Sequence, residues 1–186
     1  MKKIEVENVT TKLRVKKISK EIDPSKGLSS GSTLLNLVCL SRPDAGFLPS
    51  FYYLLVGDSM AGKTFLALTT LAEAANNPNY DGYRLIYDRP ERGNLMDMSK
   101  YFGQKMADRL EPPSKKGHSI TSDDFYDNIQ TAVEKETPFI YVLDSEDSLL
   151  PSGGEKKGYN TEKAIRNSSG LREANNGLEK TNSILI

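Results

Sequence analysis

The chain is 186 residues long, with 25 Lys and Arg against 25 Asp and Glu, and 37% of its residues are hydrophobic. That length implies one domain, and the balanced charge gives no global electrostatic case for binding nucleic acid, although a local basic patch would suffice. The single Cys39 excludes an internal disulfide, the apolar runs of about six residues fall far short of the roughly 20 that span a bilayer, and the basic N-terminus lacks the apolar stretch of a secretory signal, so the cytoplasm is the expected location.

Residues 1–27 read as a basic arm. Lys2, Lys3, Lys12, Arg14, Lys16, Lys17 and Lys20 crowd it, with Val6, Val9, Leu13, Val15 and Ile18 scattered between them. It is a partly ordered tail or a docking arm. Residues 28–186 read as the folded core. Leu28–Leu37 is a serine–glycine turn that opens a short amphipathic helix, and Arg42–Gly46 is a turn. Phe51–Val56 is expected to be a short buried strand, and Thr64–Ala75 a helix rich in strong helix formers. Asn76–Gly82 is a loop by composition. Tyr83–Tyr87 is a second strand, ending at Asp88 and broken by Arg89-Pro90-Glu91-Arg92-Gly93. Asn94–Phe102 looks helical, closed by Gly103. Thr121–Asp124 resembles a capping box for a helix whose apolar stripe is Phe125, Ile129 and Val133, and Pro138 ends it. Phe139–Leu143 is a third buried strand, delivering Asp144. Pro151–Gly158 reads as a flexible loop. Ala164, Leu171 and Leu178 recur at heptad spacing on a helix, and Ser183–Ile186 begins a further strand. Helices alternate with strands throughout. The pattern predicts an α/β fold, a three-layer α/β/α sandwich around a mainly parallel central sheet, with ligands at the carboxyl ends of the strands.

Between the first strand and its helix lies Gly57-Asp58-Ser59-Met60-Ala61-Gly62-Lys63-Thr64. It fills every fixed position of the phosphate-binding loop G-x-x-x-x-G-K-[ST]. A triphosphate concentrates negative charge, and a helix N-terminus offers unpaired N–H groups and a partial positive charge. Gly57 and Gly62 let the loop curl so that successive N–H groups point inward. Lys63 is expected to reach the β- and γ-phosphates and Thr64 to ligate Mg²⁺. No second threonine follows, the next residue being Phe65.

Asp144 follows five apolar residues, the placement of a magnesium-supporting aspartate in phosphate-loop enzymes. An ordinary surface acid at a strand end is the bland alternative. Hydrolysis also needs a group to orient water. Glu91 is the first candidate and Asp88 the second. The alternative for Glu91 is a solvated turn in which it faces Arg89 or Arg92.

These residues together resemble the RecA-like recombinase ATPases. Leu28–Leu35 looks like that family's lead-in to its first core strand, Gly57–Thr64 its Walker A loop, and Leu143-Asp144-Ser145 its Walker B strand with the serine after it. Leu171–Ile186 looks like its helix and next strand. The resemblance covers residues 28–186 and implies ATP and Mg²⁺ as ligands, ATP hydrolysis by the full-length protein, and action on single-stranded DNA in recombination or repair. It also implies a homo-oligomer or filament. The DNA-contacting loop would be Ser152–Asn160, with Lys156, Lys157 and Tyr159 as phosphate and stacking contacts; an ordinary loop is the alternative.

Three departures stand out. Pro90 takes the place nearest the family's catalytic glutamate, with Glu91 one residue later. Met98 falls where the family sets an aromatic against adenine, with Tyr101 nearby. The chain ends where the family continues, so a piece of a longer protein is expected. The other readings are a RecA-type helicase, helicase loader or other nucleic-acid motor, and a non-catalytic module in which nucleotide orders an interface. A small-molecule kinase is less favoured, since no arginine-rich lid segment is apparent.

Overall fold

The two longest of the described strands pair with each other. Arg84–Asp88 (β2) and Phe139–Leu143 (β4) lie parallel over five residue pairs, from Arg84 opposite Phe139 to Asp88 opposite Leu143. Phe139, Ile140, Tyr141 and Val142 are all fully buried, as expected for a strand covered on both faces. Three short strands complete the sheet: β1 (Phe51–Tyr52), β3 (Leu110–Glu111) and β5 (Ile184–Leu185). The order is β1-β5-β4-β2-β3, and every pairing is parallel. The computed structural model of the protein describes residues 23–90, 96–113, 117–150 and 159–186, with side chains from Asn167 onward in the last segment.

Strand alternation sorts the core into two layers. Leu85, Ile140 and Ile184 turn to one face, where they meet Leu68 and Leu71 of α2 (Lys63–Asn76). Phe102 of α3 (Met98–Phe102) and Met106 of α4 (Gln104–Arg109) join that layer. Ile86, Tyr141 and Leu185 turn to the other face, against Phe125 and Ile129 of α5 (Ser122–Glu134) and Leu178 of α6 (Tyr159–Thr181). Helices therefore cover both faces of a parallel sheet. Among the described residues, no helix is long and apolar enough to cross a membrane.

Local chemistry explains where the helices begin. Thr121 accepts the Asp124 N–H while Asp124 accepts the Thr121 N–H, the expected capping box, here closed by aspartate. Ser32 caps the first helix, α1 (Thr33–Leu40). Gly170 on α6 lies under the Tyr126 ring of α5, where a Cβ would come within 2.5 Å of it. Ser183 accepts the Phe139 N–H through its hydroxyl at 2.9 Å, which pins β5 beside β4.

The structure corrects two expectations. The first strand stops at Tyr52 rather than Val56, and it is not buried: Leu54 is 70% and Val56 85% exposed. The reason is the ladder. β1 stands at the edge of the described sheet: it pairs with β5 through Phe51–Ile184 and Tyr52–Leu185, the Tyr53 N–H bonds the Leu185 carbonyl at 2.8 Å, and no described strand covers its outer side. Second, the helix after the second strand begins at Met98, capped by Asp97. Gly103, at φ 90°, closes it as expected, but the chain turns there into α4 and then into edge strand β3. At the boundary of the expected arm, the Tyr80 hydroxyl donates to the Lys26 carbonyl at 2.7 Å.

Leu71 is fully buried at the contact of α2 with the sheet. Leu71→Ala is expected to cost about 2–5 kcal/mol of unfolding free energy, read by urea denaturation with an unchanged slope. A cost under about 1 kcal/mol would contradict the layer assignment.

Candidate functional site

Parallel strands deliver their carboxyl ends to one side, and here the helices after β1 and β4 diverge. α2 leaves β1 for one face and α6 follows β4 onto the other. A crevice opens where such connections part. It is an open cleft of about 830 Å³, lined by residues 52–57 and 59–65, by Val142–Asp147, and by Met96, Phe125, Tyr126 and Leu171 among others.

The phosphate-loop pattern forms one wall. Met60, at φ 62°, and Gly62, at φ 88°, are both left-handed, and a Cβ at Gly62 would meet nothing within 4 Å. The glycine is thus required by its backbone angle rather than by crowding. The Ala61 N–H returns to the Asp58 carbonyl at 3.2 Å, and the Leu66 N–H bonds the Gly62 carbonyl at 2.9 Å, which starts α2. No side chain caps this helix. The N–H groups of Lys63, Thr64 and Phe65 precede the first intrahelical bond and so have no acceptor in the helix. Lys63 Nζ folds back over the loop, donating to the carbonyls of Gly57 at 2.6 Å and Asp58 at 2.8 Å. An ammonium and a set of amides with no acceptor in the helix thus meet at one mouth. Ser59, Met60 and Ala61 line the cleft, whereas Asp58 contributes only its carbonyl.

The opposite wall is the end of β4. The Thr64 hydroxyl donates to Asp144 Oδ1 at 2.9 Å. The Tyr87 hydroxyl donates to Asp144 Oδ2, also at 2.9 Å. The Asp144 N–H bonds the Asp88 carbonyl at 2.9 Å. Thr64 and Asp144 are therefore brought together as the sequence predicts, with hydroxyl and carboxylate oxygens side by side. Such a pair suits a hard cation, which takes oxygen ligands. Among the described residues no group of three or more His, Cys, Asp or Glu gathers to hold a metal alone. A cation at Thr64 and Asp144 would need further oxygens from water and ligand.

Asp88 does not serve as the second water-orienting candidate. It is fully buried, on the α5 face with Ile86. Its carboxylate accepts from the Ser119 N–H at 2.8 Å, the Ser119 hydroxyl, and the Tyr141 hydroxyl at 2.6 Å. Asn128 in turn donates to Ser119 Oγ at 3.0 Å. Strand alternation carries the Asp88 side chain to the face opposite Tyr87, away from the cleft. Met98 also departs from expectation: it packs on the α2-side core, and Met96, two residues earlier, lines the cleft instead. Tyr101 is exposed, with Lys100 Nζ 5.7 Å from its ring centre. Glu91, Lys156 and Lys157 lie outside the described residues, and Tyr159 opens α6 with its side chain outside them.

Sequence reasoning missed Tyr87, Tyr141 and Ser119. The first two sit on strands read correctly. Their roles depend on which strands are neighbours, and no local signal carries that. No protein-family model matches the chain, and no curated protein sequence matches it.

Burial first, and the Asp88 carboxylate second, push the Tyr141 hydroxyl well above its ordinary value near 10. The unfolded chain releases this proton near pH 10 while the folded chain keeps it. The stabilisation is therefore full below pH 10 and is lost as pH rises beyond it. Unfolding free energy should fall above pH 10, and Tyr141→Phe should lessen that slope by up to about 1.4 kcal/mol per pH unit, measured by denaturation at stepped pH. An unchanged slope would contradict the buried phenol.

Proposed function

We propose that this chain is the core of a RecA-like P-loop ATPase, that it binds ATP with Mg²⁺ in the cleft, and that the full-length protein hydrolyses ATP. One observation carries the reading. Residues 80 apart in sequence, Thr64 at the foot of the phosphate loop and Asp144 at the end of β4, share a hydrogen bond of 2.9 Å. A loop pattern alone describes a turn before a helix. A loop threonine set against a strand-end aspartate describes a place for a cation beside a polyanion.

The chain's groups divide the work. The amides of residues 63–65 and the Lys63 ammonium receive phosphate oxygens, with Lys63 exchanging its two loop carbonyls for them. Thr64 and Asp144 would hold the magnesium ion, which when bound neutralises charge on the transferred phosphoryl group. Glu91 is the proposed group that orients the attacking water, since Asp88 is sealed in the core. Met96, Phe125, Tyr126 and Leu171 give the cleft apolar lining.

The family resemblance supports the wider reading: single-stranded DNA as activator, contacted through Lys156, Lys157 and Tyr159, and assembly into a homo-oligomer or filament in recombination or repair. A strand-backbone contact of this kind weakens with salt.

Lys63→Ala is expected to weaken ATP binding by at least about 10-fold with the fold intact, read by calorimetry beside circular dichroism. Unchanged affinity would contradict the phosphate-loop assignment. Hydrolysis by the protein should rise when single-stranded DNA is added. Equal rates with and without it would remove the DNA part and leave the nucleotide part standing.

A further inference from the structure

We propose that Tyr87 is a positioning residue for Asp144, fixing which carboxylate oxygen faces the phosphate loop and thereby setting the affinity of the cleft for Mg²⁺. This rests on the reading of the cleft as a magnesium–nucleotide site.

A strand-end aspartate can rotate about its last side-chain bond, because terminal torsions at a carboxylate are broad. Asp144 does not have that freedom here. Its two oxygens are held by two different hydroxyls, Oδ1 by Thr64 and Oδ2 by Tyr87, each at 2.9 Å. Its backbone is held as well, through the bond of its N–H to the Asp88 carbonyl at 2.9 Å. Tyr87 and Asp88 are consecutive residues of β2, so one strand end fixes the main chain and the side chain of Asp144 together.

The sheet supplies the rigidity behind this clamp. Tyr87 stands opposite Val142 and Asp88 opposite Leu143 in the ladder, so the clamp belongs to the longest pairing among the described strands. The Tyr87 ring packs against the α2-side core, while Asp88 reaches the other face and is tied to Ser119 and Tyr141. The end of β2 is thus anchored on both faces of the sheet. A hydrogen bond to a charged acceptor is stronger than a neutral one. Removing the Tyr87 hydroxyl frees Oδ2 and lets the carboxylate turn away from Thr64.

The test uses the full chain and a non-hydrolysable ATP analogue, titrated by calorimetry with Mg²⁺ and with chelator. The variants are Tyr87→Phe, which keeps the ring in the core, and Tyr83→Phe, which removes a hydroxyl bonded to Asn182 at 2.8 Å, remote from Asp144 in the bonding network. In Tyr87→Phe the Mg²⁺-dependent gain in affinity should fall by about 3- to 10-fold, with metal-free affinity unchanged. Tyr83→Phe should leave both quantities at the wild-type value. The proposal is overturned if Tyr87→Phe keeps the full Mg²⁺ gain, or if it loses metal-free affinity to the same degree, which is the mark of a general structural role. Wild-type protein that binds no analogue under either condition overturns the nucleotide reading itself, a result distinct from any difference between variants.

Discussion

The hydrogen bond between Thr64 and Asp144 is the contact on which the cleft depends. It joins the first turn of α2 to the end of β4, two elements that share no strand pairing, since β5 stands between β1 and β4. Each partner is set by its own local rule. Thr64 is placed by the left-handed Gly62, which turns the loop into the helix without a side-chain cap. Asp144 is placed by a strand whose preceding residues are almost wholly buried, so that the first strongly polar residue emerges at the carboxyl edge. The two rules meet because both elements end on the same side of a parallel sheet.

The support for that edge is a buried acid. Asp88 is fully sequestered, and the bonds described for it come from neutral donors: one amide and two hydroxyls. Burying a carboxylate costs several kcal/mol unless its oxygens are satisfied, so such a group is tolerated only where the surrounding donors are fixed. Here the donors come from β4 and from the segment before α5. The network therefore locks β2, β4 and the entry to α5 into one register, and the backbone of Asp144 hangs from the same residue. The rigidity of the cleft floor and the burial of Asp88 are one fact.

Much of this was legible in the chain. The loop pattern fixed the start of α2 because its glycines and lysine answer to a local geometry. The buried run Phe139–Leu143 located Asp144, and Thr121 with Asp124 located α5, since both are signals of neighbouring residues. What escaped depends on distant ones. The apolar run Phe51–Val56 suits a longer, buried strand, but burial depends on which elements flank a strand, and β1 stands at the edge of the described sheet. Gly103 carries the signal of a helix end, and nothing local marks it as the corner from which α4 and β3 continue. Asp88 follows a strand as an active acid would, but the alternation of β2 carries its side chain inward and brings Tyr87 to Asp144.

A crystal structure of the protein grown with Mg²⁺ and a non-hydrolysable ATP analogue would decide whether the cleft is a nucleotide site. The β- and γ-phosphates should lie against the amides of residues 63–65 with Lys63 Nζ drawn off the Gly57 and Asp58 carbonyls, and a metal should be held by Thr64 and Asp144 beside them. Analogue density elsewhere on the protein, or a loop still closed on its own lysine under saturating analogue, would contradict that reading.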